Sequence, residues 1–186
     1  MFIQTEATPN PATLKFIPGQ PVLAAGTRDF RDPETAQQAS PLAARLFEVE
    51  GVSGVFLGSD FISVTKSSGE WQHMKPALLG AIMEHYLSGV PAVNDAPEGD
   101  GHSAGEHSEE DGEIVETIKE LLDTRVRPAV AQDGGDIVFH GYDNGVVYLH
   151  MRGACAGCPS STATLRHGIE NLLRHFIPEV QEVRAV

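Results

Sequence analysis

The residues Gly153-Ala154-Cys155-Ala156-Gly157-Cys158-Pro159-Ser160-Ser161 contain both cysteines of this chain of 186 residues. A strand pattern over residues 146–151 leads into this stretch, and a helix is predicted to begin at about Pro159. The two thiols therefore lie at a strand-to-helix corner, where the helix dipole favours the thiolate form. Soft ligands at this spacing indicate either metal binding or dithiol redox chemistry.

Overall composition limits the classes of protein to consider. The formal net charge is −13, which argues against a nucleic-acid surface because such surfaces need clustered Lys and Arg. The sequence has no apolar run of about 18 residues, as a membrane span requires, and no basic signal segment at its start. Two neighbouring cysteines in a reducing compartment favour a metal or catalytic dithiol. We expect a soluble intracellular protein without nucleic-acid or membrane partners.

The pattern of apolar segments predicts an α+β fold made of two small α+β domains. Residues 1–90 form the first domain, residues 91–112 form a flexible acidic linker, and residues 113–186 form the second domain. The linker prediction rests on composition, because a segment this polar cannot offset its ordering entropy by burial. Seven acidic residues and no Lys or Arg occur in it: Asp95, Glu98, Asp100, Glu106, Glu109, Glu110 and Asp111.

The first domain is predicted to have strands at residues 2–7, 12–17, 52–57 and 61–65 and two helices. Ser40 and Pro41 begin one helix. The other lies within residues 71–87, with Pro76 near its start because a proline inside a helix costs ~3 kcal/mol. His73 and His85 lie on or beside this helix and are interpreted as surface or packing residues. The sequence of this domain shows no cluster of metal-ligand residues and no nucleophile paired with a general base.

The second domain has the predicted order α-β-β-α-β. Ser108 and Asp111 resemble a capping box before an apolar helical face, Pro128 kinks or restarts that helix, and residues 133–136 end it. Strands follow at residues 137–142 and 146–151, joined by a type I′ turn at Asn144-Gly145. The last helix places five apolar residues on the core, and the chain closes with a strand within residues 179–186. Those five are Leu165, Ile169, Leu172, Leu173 and Phe176.

Three kinds of chemistry remain open for the cysteines. A zinc site needs four ligands and would have to recruit His140, His150 or His167. A thioredoxin-like dithiol also lies between a strand and a helix, although here the preceding strand is assigned to a hairpin and not to a parallel crossover. An iron–sulfur cluster takes four thiolates, which two chains donating Cys155 and Cys158 supply.

Three further motifs are more specific than the cysteines alone. Residues 121–128 (LLDTRVRP), 132–136 (QDGGD) and 153–161 together resemble the C-terminal domain of NifU-like (Nfu-type) iron–sulfur cluster scaffold and carrier proteins. Residues 1–6 (MFIQTE), 8–11 (TPNP) and 14–19 (LKFIPG) resemble the Nfu N-terminal domain. The resemblance covers both predicted domains and leaves out only the acidic segment.

This resemblance implies a non-enzymatic protein that carries a [4Fe–4S] cluster between two protomers. On that implication Cys155 and Cys158 are the metal ligands, the second domain forms the homodimer, and the cluster passes from upstream donors to apo-proteins. The alternative is a thiol–disulfide redox module. We expect a bacterial cytoplasmic location, since Met1 lies directly before the first predicted strand, with the mitochondrial matrix as the alternative.

Overall fold

The structure is a computed structural model that describes residues 2–24, 26–94, 109–155 and 162–186, apart from the side chains of Glu110 and Thr162. The chain divides into two compact units, Met1–Asp100 and Gly101–Val186. Each unit combines helices with a sheet, so the predicted α+β fold in two domains is confirmed. Most of the predicted linker, including Ser108 and its capping box, lies outside the described residues, and its flexibility stays a prediction.

The first unit is built around a five-stranded antiparallel sheet in the order β1-β2-β5-β4-β3. Its strands are β1 Gln4–Ala7, β2 Thr13–Ile17, β3 Arg28–Phe30, β4 Val52–Leu57 and β5 Ile62–Lys66. Its helices are α1 Pro33–Ala39, α2 Pro41–Phe47 and α3 Trp71–Ser88. Apolar side chains from the sheet and from all three helices form one buried core, which includes Phe16, Leu46, Ile62, Leu78 and Ile82.

Helix α2 begins where the sequence predicts. Ser40 is its N-cap, and the Ser40 hydroxyl oxygen accepts a hydrogen bond from the Ala43 amide at 3.0 Å, which satisfies one otherwise unpaired donor of the first turn. The same hydroxyl donates to the Ala92 carbonyl at 2.5 Å, and the Asn94 amide donates to the Ala39 carbonyl at 2.8 Å. The first residues of the predicted linker therefore pack on the first unit.

One local expectation for the first unit is wrong, and two of its elements were not predicted. Pro76 was expected near the start of α3 but lies inside the helix, which begins five residues earlier at Trp71. The early turn is held because Met74 is buried in the core and the Trp71 indole donates to the Pro11 carbonyl at 3.1 Å. Strand β3 and helix α1 were not predicted, although Asp32 before Pro33 is a helix-start signal. The Asp32 carboxylate caps α1 by accepting from the Thr35 amide at 2.7 Å.

The second unit has the predicted order α-β-β-α-β. Helix α4 Gly112–Leu121 continues through a π-helical segment, Leu122–Val126, into α5 Arg127–Gln132. The elements that follow are β6 Gly135–Asp143, β7 Val146–Gly153, α6 Thr162–Phe176 and β8 Glu182–Ala185. Strand β7 is central, antiparallel to β6 and parallel to β8. The described helices cover one apolar core.

The turn between β6 and β7 matches the type I′ prediction. Asn144 and Gly145 have φ angles of 47° and 81°, and both central residues of this turn require positive φ. A side chain on Gly145 would also meet the Glu179 carbonyl oxygen at 2.9 Å. Glycine is therefore required here both by the backbone conformation and by the close approach of the chain before β8.

Phe176 does not pack in the core as predicted. Its side chain is 46% exposed, while Ile169 and Leu173 on the same helix are buried. The Arg125 guanidinium lies 5.1 Å from the Phe176 ring centre, and His175 contacts that ring edge-on. Ile177, the next residue, takes the buried position instead. The helical pattern placed the stripe correctly as far as Leu173 but ended it on Phe176 instead of Ile177.

Across the part of the chain that the structure describes, no helix is both long enough and apolar enough to cross a membrane.

Candidate functional site

Cys155 lies two residues beyond the end of the central strand β7. Gly153, the last residue of β7, pairs with Gly135 at the start of β6 and has a φ of 62°. The Ala154 amide then donates a hydrogen bond to the Gly134 carbonyl at 3.1 Å. These contacts turn the chain back over the start of β6, so that Cys155 is buried with 7% of its surface exposed. Cys158 lies outside the described residues.

Gly135 packs directly beneath the Cys155 thiol. A Cβ atom added at Gly135 would lie 2.5 Å from Cys155 Sγ, 2.9 Å from the Cys155 amide nitrogen and 3.1 Å from the Arg152 carbonyl oxygen. The first two distances are too short for any side chain, so only glycine fits without moving the cysteine. The glycine at this position of the QDGGD motif therefore has a direct structural role in placing a proposed ligand.

A buried ion pair anchors the same end of β6. The Asp136 carboxylate, with a side chain 4% exposed, accepts two hydrogen bonds from the Arg127 guanidinium: Nε to Oδ1 at 2.9 Å and Nη2 to Oδ2 at 2.8 Å. Asp136 Oδ1 also accepts from the Ile137 amide at 2.9 Å. Such a bidentate geometry fixes the orientation of the two side chains as well as the distance between them. The start of β6, and with it Gly135, is tied to helix α5.

Arg127 connects this pair to the preceding helical turn. Its Nη1 donates to Asp123 Oδ1 at 3.0 Å. Burial opposes the charge of the guanidinium, but the hydrogen bonds and charges of Asp136 and then Asp123 outweigh it, so the pKa of Arg127 is raised. Arg127 therefore remains a cation between two carboxylates, and the three side chains join two of the quoted motifs.

The π-helical segment has an identifiable cause in Pro128. Proline has no amide hydrogen, and its ring clashes with the carbonyl four residues earlier in a regular α-helix. Here the helix widens over Leu122–Val126, and the Arg127 amide donates to the Leu122 carbonyl, five residues back. Such widened turns occur often at functional sites. In this chain the widened turn carries Asp123 and leads directly into Arg127.

The candidate histidines do not form a metal site in the described residues. His140, His150 and His167 are all exposed, and no group of three or more His, Cys, Asp or Glu side chains suited to a metal occurs within residues 2–94, 109–155 and 162–186. In the first unit His73 is exposed and His85 is buried, as expected of surface and packing residues. His102 and His107, which the sequence places in the predicted acidic linker as part of a solvated tether, lie outside the described residues.

The topology removes one argument against a redox dithiol. As expected, β7 forms a hairpin with β6, but the expectation that it takes no part in a parallel crossover is wrong: β7, α6 and β8 form a parallel β-α-β unit. Sequence patterns do not show which strand a C-terminal segment will join. The choice between the cluster and the redox interpretation therefore cannot rest on the fold around Cys155.

The sequence motifs contain Arg127, Gly135 and Asp136, but the sequence alone predicts no function for them. The available signal was an aspartate directly before an apolar strand, because a carboxylate in that position needs a buried cation or several donors. The missing information was its partner, since Arg127 precedes Asp136 by nine residues across a helix end. Neither helical nor strand periodicity brings these two residues together.

Family models match both units of the chain. The model "Scaffold protein Nfu/NifU N terminal" matches residues 3–89, and the model "NifU-like domain" matches residues 118–184. Together they cover most of the chain and place the site of Cys155 within the NifU-like domain. The chain therefore belongs to the Nfu/NifU family of iron–sulfur cluster scaffold proteins.

Similar proteins span the whole chain. It is 52% identical over 189 residues to a human protein, "NFU1 iron-sulfur cluster scaffold homolog, mitochondrial", of which it covers 72%. It is 54% identical over 189 residues to the Drosophila sechellia protein of the same name, of which it covers 65%. Each alignment includes 100% of this chain. Both relatives are named mitochondrial, which disfavours the expected bacterial cytoplasmic location.

Proposed function

We propose that this protein binds a [4Fe–4S] cluster between two protomers through Cys155 and Cys158 and transfers it to apo-proteins. The observation that carries the proposal is the position of Cys155 within a domain of a cluster scaffold family. In this proposal the protein is a carrier and not a catalyst. The mitochondrial names of the relatives favour the mitochondrial matrix as its location.

The ligand count supports a shared cluster. Iron–sulfur clusters are usually held by four thiolates, and this chain contains two cysteines. Two protomers donating Cys155 and Cys158 supply the four ligands. A site completed by dimerisation opens when the protomers separate, which suits a protein that gives its cluster away.

The surroundings of Cys155 hold its thiol in one position. A Cβ atom at Gly135 would lie 2.5 Å from Cys155 Sγ, so only glycine leaves the sulfur in place, and Gly153 adopts a φ of 62° where the chain turns toward the cysteine. The Arg127 and Asp136 pair holds the strand that carries Gly135. These residues position the ligand and do not contact the cargo in our proposal. Positioning of this kind, through residues behind the ligands, commonly tunes metal sites.

A transfer assay tests the proposed function. The protein is loaded anaerobically with iron and sulfide, freed of unbound iron, and mixed with an apo-aconitase as acceptor. We expect aconitase activity to return faster than it does with the same amounts of free iron and sulfide. The activity should also return in the presence of a chelator that captures free iron. Recovery no faster than that of the free ions, or recovery abolished by the chelator, would contradict the carrier role.

The matched controls for transfer are Cys155→Ser and Cys158→Ser. Either change leaves two protomers with two thiols instead of four, so we expect neither variant to restore aconitase beyond the free-ion rate. Circular dichroism and thermal unfolding of the apo-proteins check that both variants still fold. A serine variant that loads and transfers normally would remove that cysteine from the ligand set.

A further inference from the structure

The first unit contains an open groove that the proposed function does not use. It has a volume of about 770 Å³ and lies between the end of α2 and the outward side of α3. Helices α2 and α3 pack against each other, and the groove is lined by residues of both helices and by the loop residues Ser68, Gly69 and Glu70. Its shape and its charge point to one kind of occupant.

The walls of the groove are acidic. Four of its lining residues are glutamates, and the lining also contains one arginine and one histidine. Arg45 lies 3.3 Å from Glu84 Oε2, so this arginine is already matched by one of the carboxylates. Glu48 and Glu50 are exposed at the end of α2. A cleft lined by charges of one sign concentrates its field and attracts groups of the opposite charge.

The floor of the groove is formed by small residues of α3. Ala77, Gly80 and Ala81 line it, and a Cβ atom added at Gly80 would meet no atom within 4 Å. Glycine inside a helix costs roughly 1 kcal/mol relative to alanine, and no neighbour in the described unit requires it here. The open space above Gly80 is available to a side chain from another molecule.

An exposed apolar strip continues this floor toward the end of α3. Leu87 is 80% exposed and Met83 is 40% exposed. They follow Gly80 by seven and three residues, which places them on the same side of the helix. Large apolar side chains exposed in a row beside a groove mark an interaction surface. The surface thus combines carboxylates on one wall with an apolar strip along α3.

We propose that this groove docks a basic amphipathic helix of a partner protein. Apolar side chains of the incoming helix would cover Gly80, Met83 and Leu87, and its Lys or Arg side chains would face Glu48 and Glu50. The distance from His73 to Leu87 along α3 is about 21 Å, enough for some four helical turns of the partner. Helices that dock in this way use apolar anchors at helical spacing. The proposal does not depend on cluster binding.

A second copy of this chain fits the groove less well. A second copy would bring a chain with a net charge of −13 to a groove lined by four glutamates, which is unfavourable at this surface; a dimer formed through the second unit does not involve the groove. An acidic peptide would meet the same repulsion at Glu48 and Glu50. A basic amphipathic segment would be attracted by the carboxylates and would also bury the apolar strip, so it is the occupant that this surface favours.

The test uses a labelled peptide of about 16 residues, with Leu at helical spacing on one face and Lys on the other. Fluorescence anisotropy with the full apo-protein measures its affinity, and 15N NMR maps its contacts. We expect saturable binding that weakens with salt, with shifts concentrated at Ala77, Gly80, Ala81 and Leu87. A scrambled peptide of the same composition and one with Glu in place of Lys should bind at least about tenfold more weakly.

Two pairs of variants separate the groove from general charge effects. The double change Glu48→Lys with Glu50→Lys should weaken binding at least about tenfold, whereas Glu34→Lys with Asp60→Lys, at exposed positions outside the groove lining, should leave affinity within about twofold. Gly80→Leu should block binding without unfolding the protein, because no atom lies within 4 Å of its Cβ. Gly168→Leu, equally uncrowded on α6, is its matched control.

Several outcomes would overturn the proposal. Equal losses in the two charge-reversal pairs would mean attraction to the protein as a whole. NMR shifts concentrated outside the groove would place the peptide elsewhere. Equal binding of the Glu-containing peptide would remove the charge argument. Absence of peptide binding together with self-association that Gly80→Leu abolishes would make the groove an interface between copies of this chain.

Discussion

Gly135 and Cys155 lie so close that a Cβ atom on the glycine would come within 2.5 Å of the cysteine Sγ. The two residues are twenty positions apart, and the pairing of β6 with β7 brings them together. Because β6 is held at Asp136 by Arg127, the position of the thiol depends on a chain of contacts that begins in helix α5. The Cys155 thiol is thus supported by the strand that packs beneath it.

The Gly135→Ala change should displace Cys155. The added methyl group meets the thiol sulfur and the cysteine amide nitrogen, and crowding of this kind costs about 1 to 3 kcal/mol in a packed interior. We expect a lower midpoint of urea unfolding for the second unit and a lower yield of reconstituted cluster. Gly168→Ala is the control, since its Cβ meets no atom within 4 Å and should stabilise α6 slightly. A fully stable Gly135→Ala protein with normal cluster yield would show that the contact does not matter.

Breaking the Arg127 and Asp136 pair should destabilise the second unit. Asp136→Asn leaves the buried guanidinium without one of its carboxylates, and removing one member of a buried pair costs about 3 to 5 kcal/mol. The double variant Arg127→Met with Asp136→Leu should lose less than the sum of the single changes, because neither charge is left behind. Urea unfolding followed by circular dichroism measures Asp136→Asn, the double variant and its two single changes, Arg127→Met and Asp136→Leu.

An exposed ion pair provides the control for this experiment. Arg184 and Glu182 are joined at 2.9 Å, with side chains 53% and 44% exposed. Arg184→Met should leave the midpoint of urea unfolding nearly unchanged, because surface pairs contribute little to stability. Equal losses at the two sites would contradict the structural importance of the buried pair.

His85 should make the first unit less stable in mild acid. It is 2% exposed, and its Nδ1 has no hydrogen-bond partner among the described residues. Burial, and then the charge of Arg45, lower the pKa of His85 below its ordinary value of 6.5. The unfolded chain therefore binds a proton near pH 6.5 that the folded unit does not, and stability falls as the pH drops below that value.

The His85→Leu variant tests this pH dependence. Its first unit should lose less stability than the unchanged protein between about pH 7.5 and about pH 5.5, by up to about 1 kcal/mol. Thermal unfolding of both proteins at the two pH values gives the comparison. Parallel losses in the two proteins would mean that His85 does not take part in the acid sensitivity.

Local signals predicted much of the fold. Ser40 caps its helix and Asn144-Gly145 forms its turn as expected, because each depends on a few neighbouring residues. Contacts between distant residues could not be predicted from local patterns. A hydrogen bond from Trp71 to Pro11 holds a start of α3 that lies before Pro76, and β8 joins β7 in parallel. The cysteine motif identified the candidate ligands, but the support that Gly135 and Asp136 provide required the three-dimensional arrangement.

The most direct test of the central claim is a count of iron and sulfide in the reconstituted protein. After anaerobic loading, the species are separated by size, their metal and sulfide are measured, and Mössbauer spectra identify the cluster. We predict about four irons and four sulfides per dimer, in a species larger than the apo-protein, and loss of the cluster in Cys155→Ser and Cys158→Ser. A monomer that binds no iron and instead forms a reversible disulfide between Cys155 and Cys158 would contradict the claim.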